Sequence, residues 1–214
     1  MARYTEGHVG ELPWLPVVRE AHGPGRGVRL AGLLPAGNLL DAEQWRFMPP
    51  GVSLHLTRVM VPADALAPAD SAGGRIEADL ELAARMLVPV QPASVAYLCA
   101  SSSFCGGPEH DGRIARRLEE IVGAPATTAS TALVVAARSL GLRRLIAISP
   151  HRAAVTQQLA HFLEGNGFDV VDWRSMELDG DSEYQCVPSA DVYLFVREAN
   201  HPDADGIVIG CTAL

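Results

Sequence analysis

The segment Ser130–Trp173, STALVVAARSLGLRRLIAISPHRAAVTQQLAHFLEGNGFDVVDW, decides the fold. Its first part, Ser130–Leu140, has helical character, with Thr128 or Ser130 available as a cap and Gly141 as a stop. Arg144–Ser149 is a short apolar run of strand type, Ala153–Glu164 returns to helical spacing, and Phe168–Trp173 is again strand-like. A strand, a helix and a second strand of these lengths predict parallel pairing through a right-handed crossover.

The same grammar extends in both directions. Upstream, Val28–Leu34 reads as a strand closed by Pro35-Ala36-Gly37-Asn38, and Val52–Val61 alternates like a second strand. Glu77–Leu87 places Leu80, Ala83, Ala84 and Leu87 at helical spacing. Ser94–Cys99 reads as a buried strand, and Gly112–Val122 as a helix with Ile114, Leu118 and Ile121 on one face. Downstream, Ala190–Ala199 is helical and Gly206–Cys211 is the last strand. The expected fold is α/β, with two Rossmann-like lobes of parallel sheet over residues 28–124 and 125–214. Residues 1–27, ending in Gly23-Pro24-Gly25-Arg26-Gly27, read as a flexible extension. Those glycines precede the first strand, whereas a dinucleotide or phosphate loop follows one.

Composition removes several function classes. A formal net charge of -8 disfavours nucleic acid as a partner, because phosphate binding needs a basic face. No apolar run reaches the roughly 18 residues of a membrane span. The start, Met1–Gly10, has no charged segment followed by an apolar one, so a cytoplasmic location with reduced thiols is expected. All 17 basic residues are arginine. Without lysine there is no Schiff base, no pyridoxal phosphate anchor and no phosphate-loop amine. The four cysteines, Cys99, Cys105, Cys186 and Cys211, form no C-x-x-C pair, and the His110 near Cys105 lacks partners of metal-ligand spacing. No metal and no cofactor are expected.

The chemistry gathers at strand ends, where open α/β sheets bind ligands. Tyr97-Leu98-Cys99 runs into Ala100-Ser101-Ser102-Ser103-Phe104, Ile209-Gly210-Cys211 runs into Thr212-Ala213, and Ile148-Ser149 runs into Pro150-His151. Small residues after each cysteine let backbone N–H groups approach an anion. A thiol so placed favours its thiolate. Two of them flanking a small carboxylate would suit proton transfer at carbon, or thiolate attack with protonation from the other side. The competing reading for any free cysteine is a small buried hydrophobe. That reading is preferred for Cys105 and Cys186.

These phrases, together with Gly32-Leu-Leu-Pro35-Ala-Gly-Asn38, Thr127-Thr128-Ala129-Ser130-Thr131-Ala132, Leu140-Gly141-Leu-Arg-Arg144 and Asp205-Gly-Ile-Val-Ile-Gly-Cys211-Thr212, resemble the aspartate/glutamate racemase superfamily. The likeness is strongest to its branch of maleate cis-trans isomerases and arylmalonate decarboxylases, and it runs from about Val28 to Leu214. The resemblance implies lobes related by a pseudo-two-fold axis, with the active site in the cleft between them. It implies an isomerase that works without cofactor, in which Cys99 adds to the double bond of maleate and Cys211 handles the proton. Racemases would use the two thiols as opposed acid and base. In the decarboxylases the position matching Cys99 is usually glycine, so a chain with both thiols is expected to be an isomerase or racemase. Asn38 would bind a substrate carboxylate, with backbone amides at Ala100 and Ser101 and with Thr212 nearby. The bland alternatives are a left-handed turn residue for Asn38, a helix cap for Ser101, and a surface or inter-lobe ion pair for Arg58.

The chain departs from the family pattern twice. His151 stands where relatives carry a substrate-binding tyrosine, and an imidazole there is expected to change charge near neutral pH. Relatives also continue past the second cysteine with a helix and a strand, whereas this sequence stops at Leu214. The resemblance therefore leaves a second expectation open, a truncated and inactive carboxylate-binding domain. The implied partner is a small carboxylate substrate, with a homo-oligomer left open and nucleic acid and membrane excluded.

Overall fold

Short apolar strands need two covered faces, and the helices between them supply the cover. In a computed structural model that describes residues 27–61, 73–107 and 109–214, this produces two parallel sheets. The expected extension at 1–27 lies, but for Gly27, outside the described residues. The first sheet has the order β2-β1-β3-β4, from β1 (Val28–Pro35), β2 (Val52–Val59), β3 (Ser94–Tyr97) and β4 (Ala126–Thr128). The second has the order β6-β5-β7, from β5 (Arg144–Ser149), β6 (Asp169–Ser175) and β7 (Gly206–Ile209). Every strand pair in both sheets is parallel.

Helix α1 (Asp41–Arg46) follows β1 and α2 (Gly73–Arg85) follows β2. Next come α3 (Ala100–Phe104) and α4 (His110–Val122), then α5 (Ala129–Ser139) and α6 (Ala153–Gly165), and finally α7 (Asp181–Tyr184) and α8 (Ser189–Ala199). The α4 face buries Ile114, Leu118 and Val122 at four-residue spacing, against Val95 and Tyr97 of β3 and Leu80 and Ala84 of α2. Full burial of a leucine such as Leu118 contributes about 2 kcal/mol. The central strand β5 is apolar on both faces. Leu145 and Ala147 pack with α6 residues Leu159 and Leu163, while Ile146 and Ile148 pack with Ala199 of α8.

The predicted elements recur with shifted ends. The last two residues of the expected Ser94–Cys99 and Gly206–Cys211 strands lie outside β3 and β7, so both cysteines stand just beyond the ladder. Short α1, α3 and α7 were not anticipated, because four to six residues are too few to establish a period. Strand β4 also went unread. Ala126–Thr128 falls in the second lobe of the expected division at 124/125, yet it hydrogen-bonds to β3 in the first sheet, because its three residues complete an edge only tertiary pairing creates.

The lobes interlock through α3. All five of its residues are buried, and Ala100 and Phe104 join the core formed by α5, β5 and α6. Thr128 caps α5, its side-chain oxygen accepting from the Thr131 amide at 3.0 Å. Ser130, the other cap candidate, instead donates to the Ala100 carbonyl at 3.0 Å and lies 2.7 Å from the Ser103 hydroxyl. Among the described residues no helix is long and apolar enough to cross a membrane, and no cluster of three or more His, Cys, Asp or Glu side chains could hold a metal ion.

Candidate active site

Cys99 is the residue before α3 and is buried; its side chain makes no capping bond to that helix. Its sulfur lies 3.7 Å from the Ser101 hydroxyl. Ser101 is inside α3, so the capping role considered for it is not the one it has. Ser103 donates to the carbonyls of Cys99 and Ala100 at 2.8 and 2.9 Å, tying the helix start down. Behind the sulfur, the Tyr97 hydroxyl pairs with Ser102 at 2.6 Å. Burial, reinforced by the neighbouring Cys99, keeps that phenol protonated well above its ordinary range.

Cys211 is half-buried and follows Gly210, where a Cβ would run into the Leu159 side chain. The Gly210 amide donates to the Ile148 carbonyl at 2.8 Å, setting this end of β7 beside Ser149. The Ala213 amide donates to the Cys211 sulfur at 3.3 Å. Thr212 then reaches the first lobe, its hydroxyl donating to the Leu98 carbonyl at 2.9 Å. That single bond joins the residue after one cysteine to the residue before the other.

Asn38 is fully buried. Its side-chain nitrogen donates to the Thr212 carbonyl at 3.1 Å, and its side-chain oxygen accepts from the Leu40 amide at 2.8 Å. It is not in the left-handed region, so the turn reading holds through side-chain bonding rather than backbone conformation. One amide hydrogen of its NH2 group remains for another acceptor. Arg58 buttresses this loop, donating to the Pro35 carbonyl at 3.3 Å, to the Asn38 carbonyl, and to Asp41 at 2.7 Å. Its ion pair is therefore the surface pair rather than the inter-lobe one, made within the first lobe.

His151 stands two residues beyond β5 and is also buried. Its Nδ1 lies 2.9 Å from the Tyr184 hydroxyl, with the rings edge to face, and its Nε2 has no hydrogen-bond partner among the described residues. The expectation of a charge change near neutral pH is corrected here. Burial pushes the imidazole down to about 4, so it is neutral at pH 7. Gln185, next along, donates to the Gly37 carbonyl at 2.9 Å and accepts from the Leu39 amide. Sequence reasoning missed Tyr184 and Gln185, since bonds across 33 and 148 positions leave no local signature.

Of the remaining cysteines, Cys105 has the buried place read for it, whereas the buried reading of Cys186 is corrected, since α7 and the turn after it leave it at the surface. Cys105 is buried, and burial with Cys99 nearby pushes its thiol up to about 12, while Cys186 is exposed. Asn38, Thr212 and the segments bearing both cysteines thus form one hydrogen-bonded group, with His151 tied to it through Tyr184-Gln185.

The fold and these strand-end loops define a class of two-sheet parallel α/β proteins with thiols where the sheets meet. Comparison with known proteins sharpens this. Residues 66–214 match the family model described as arylmalonate decarboxylase, and the chain belongs to that family. It is 26% identical over 196 residues to a maleate isomerase of Nocardia farcinica, covering 86% of this chain and 76% of the relative. It is 32% identical over 133 residues to the arylmalonate decarboxylase of Bordetella bronchiseptica, covering 61% of this chain and 55% of that protein. Among solved structures, it superposes with a TM-score of 0.76 on a Nocardia farcinica maleate cis-trans isomerase. That structure is a cysteine-to-serine variant with a covalently bound succinylcysteine intermediate; identity is 22%, covering 87% of this chain and 79% of that one. A crystal structure of arylmalonate decarboxylase gives a TM-score of 0.68 at 26% identity, covering 87% and 78%. The α/β fold with parallel sheets is shared with both.

Proposed function

We propose that this chain is a maleate cis-trans isomerase-like enzyme acting on a small dicarboxylate through Cys99 and Cys211, without a cofactor. The observation that carries the reading is the Thr212–Leu98 hydrogen bond, which joins the two cysteine-bearing loops across the lobes. In this reaction the Cys99 thiolate adds to one alkene carbon, forming a C–S bond while the π electrons move to the other carbon. Cys211 donates a proton there, leaving a succinyl thioether whose central C–C bond is now single and free to rotate. After rotation the Cys211 thiolate removes a proton from that carbon, the C–S bond breaks, and fumarate leaves with the Cys99 thiolate restored. Asn38 through its remaining N–H, amides at Ala100 and Ser101, the Thr212 segment and neutral His151 would hold the carboxylates, all as uncharged donors.

Proton NMR of maleate with purified protein tests this directly: fumarate appears. Maleate unchanged in the presence of folded protein removes the assignment. The family match favours a second reading, decarboxylation of an arylmalonate with Cys211 protonating the enediolate. Release of carbon dioxide from phenylmalonate by the unaltered protein, lost in Cys211→Ala, would establish it. Solvent deuterium at the α-carbon of aspartate or a hydantoin would mark a racemase. Inactivity on all three substrates, with melting still raised by a dicarboxylate, would identify a binding domain only.

A further inference from the structure

We infer that Tyr184 and Gln185 are positioning residues: adjacent in sequence, they hold His151 of the second lobe and the Asn38 loop of the first in one arrangement. The inference rests on the proposed carboxylate-binding roles of Asn38 and His151. Gln185 engages the backbone on both sides of Asn38, donating to Gly37 and accepting from Leu39. The loop carrying Asn38 therefore cannot move off the second lobe without breaking three side-chain to backbone bonds, two to Gln185 and one to Thr212. Tyr184, whose ring is buried, meets the imidazole at Nδ1.

That contact selects a tautomer. A phenol is a far better proton donor than a neutral imidazole N–H, so the Tyr184 hydroxyl donates and Nδ1 accepts. The ring proton then resides on Nε2, the buried atom with no partner among the described residues. Leaving a buried donor unsatisfied is costly, and a carboxylate oxygen arriving there would satisfy it. The pair thus turns a histidine into a fixed, neutral N–H donor, the function a hydroxyl would otherwise serve.

Two measurements test this. Long-range proton–nitrogen correlation of histidine-labelled, ligand-free protein should show His151 as the Nε2–H tautomer, assigned by its loss in His151→Gln. In Tyr184→Phe that signal should move toward a mixture of tautomers. A wild-type Nδ1–H tautomer, or no change in Tyr184→Phe, overturns the role of Tyr184. Kinetically, Tyr184→Phe and Gln185→Ala should each raise KM for maleate about tenfold with kcat within about threefold. If KM stays put in Gln185→Ala while the variant melts normally, the role of Gln185 is lost. Should wild-type protein leave maleate untouched, the proposed function falls, while the tautomer experiment still decides the role of Tyr184.

Discussion

The loops after β3 and β7 begin from the same local plan, an apolar strand, a cysteine and small residues, and end in different environments. After β3 the chain turns at once into α3, whose first amides have no acceptor within the helix, and the Ser103 hydroxyl closes on the carbonyls of Cys99 and Ala100. Cys99 is consequently buried with a hydroxyl as its polar neighbour. After β7 the backbone stays irregular, an amide turns back onto the Cys211 sulfur, and the thiol is half-buried. Similar local chemistry thus leaves one thiol buried beside a hydroxyl and the other half-buried beside a backbone amide. The proposed roles, nucleophile for Cys99 and proton carrier for Cys211, follow the same division.

The sharpest way to break the comparison is to remove each thiol. Cys99→Ala should lower maleate turnover at least about a thousandfold. Cys211→Ser should instead stall the reaction after addition, with water supplying the proton to the adduct and no thiolate to remove it, leaving a succinyl group on Cys99 detectable by intact-protein mass spectrometry. An adduct on Cys211 in Cys99→Ser would invert the assigned roles.

Labelling rates sharpen it next. With its thiol at about 12 rather than the ordinary 9.0, Cys105 should alkylate about a thousandfold more slowly than exposed Cys186 near neutral pH. Half-buried Cys211 should label before buried Cys99 with a bulky maleimide, read by peptide mass spectrometry. The reverse order would mean the first loop is the more open one.

His151 offers a thermodynamic comparison. Its folded value of about 4 lies below the ordinary 6.5, so between those values the unfolded chain binds a proton that the folded one refuses. Stability therefore falls as pH drops through that window, by roughly 3 kcal/mol from this group alone. Urea unfolding at about pH 7 and about pH 4 should show His151→Gln losing less stability than wild type by that margin. Equal losses would mean the imidazole is not held neutral by burial.

The smallest effect is expected at the bond between the loops. Thr212→Val deletes the donor to Leu98 and should cost about 1 kcal/mol of stability by the same measurement. A cost near zero would show that the two loops meet without needing this link.

Much of this architecture was legible in the residues themselves. Alternating apolar runs and helical periods are local signals, and they predicted parallel α/β sheets with Cys99 and Cys211 as the last residues of strands, two positions further than the ladders run. What period alone could not supply was anything too short to repeat, such as α3 or β4, and anything made by distant partners. Asn38 is the clearest case. Its type suggested a turn or a ligand, but its bond to Thr212 spans 174 positions and is created only when the sheets come together.

The sequence by itself determined which groups are available: two strand-end thiols, one asparagine in a turn, a histidine after the central strand, and no side-chain amine. The tertiary structure decided their states. Burial, which depends on every element packed around a site, makes His151 neutral and Cys105 inert. Hydrogen bonds between segments far apart in the chain set Asn38, Thr212 and Gln185 in one group, because such bonds form only after folding brings the segments together.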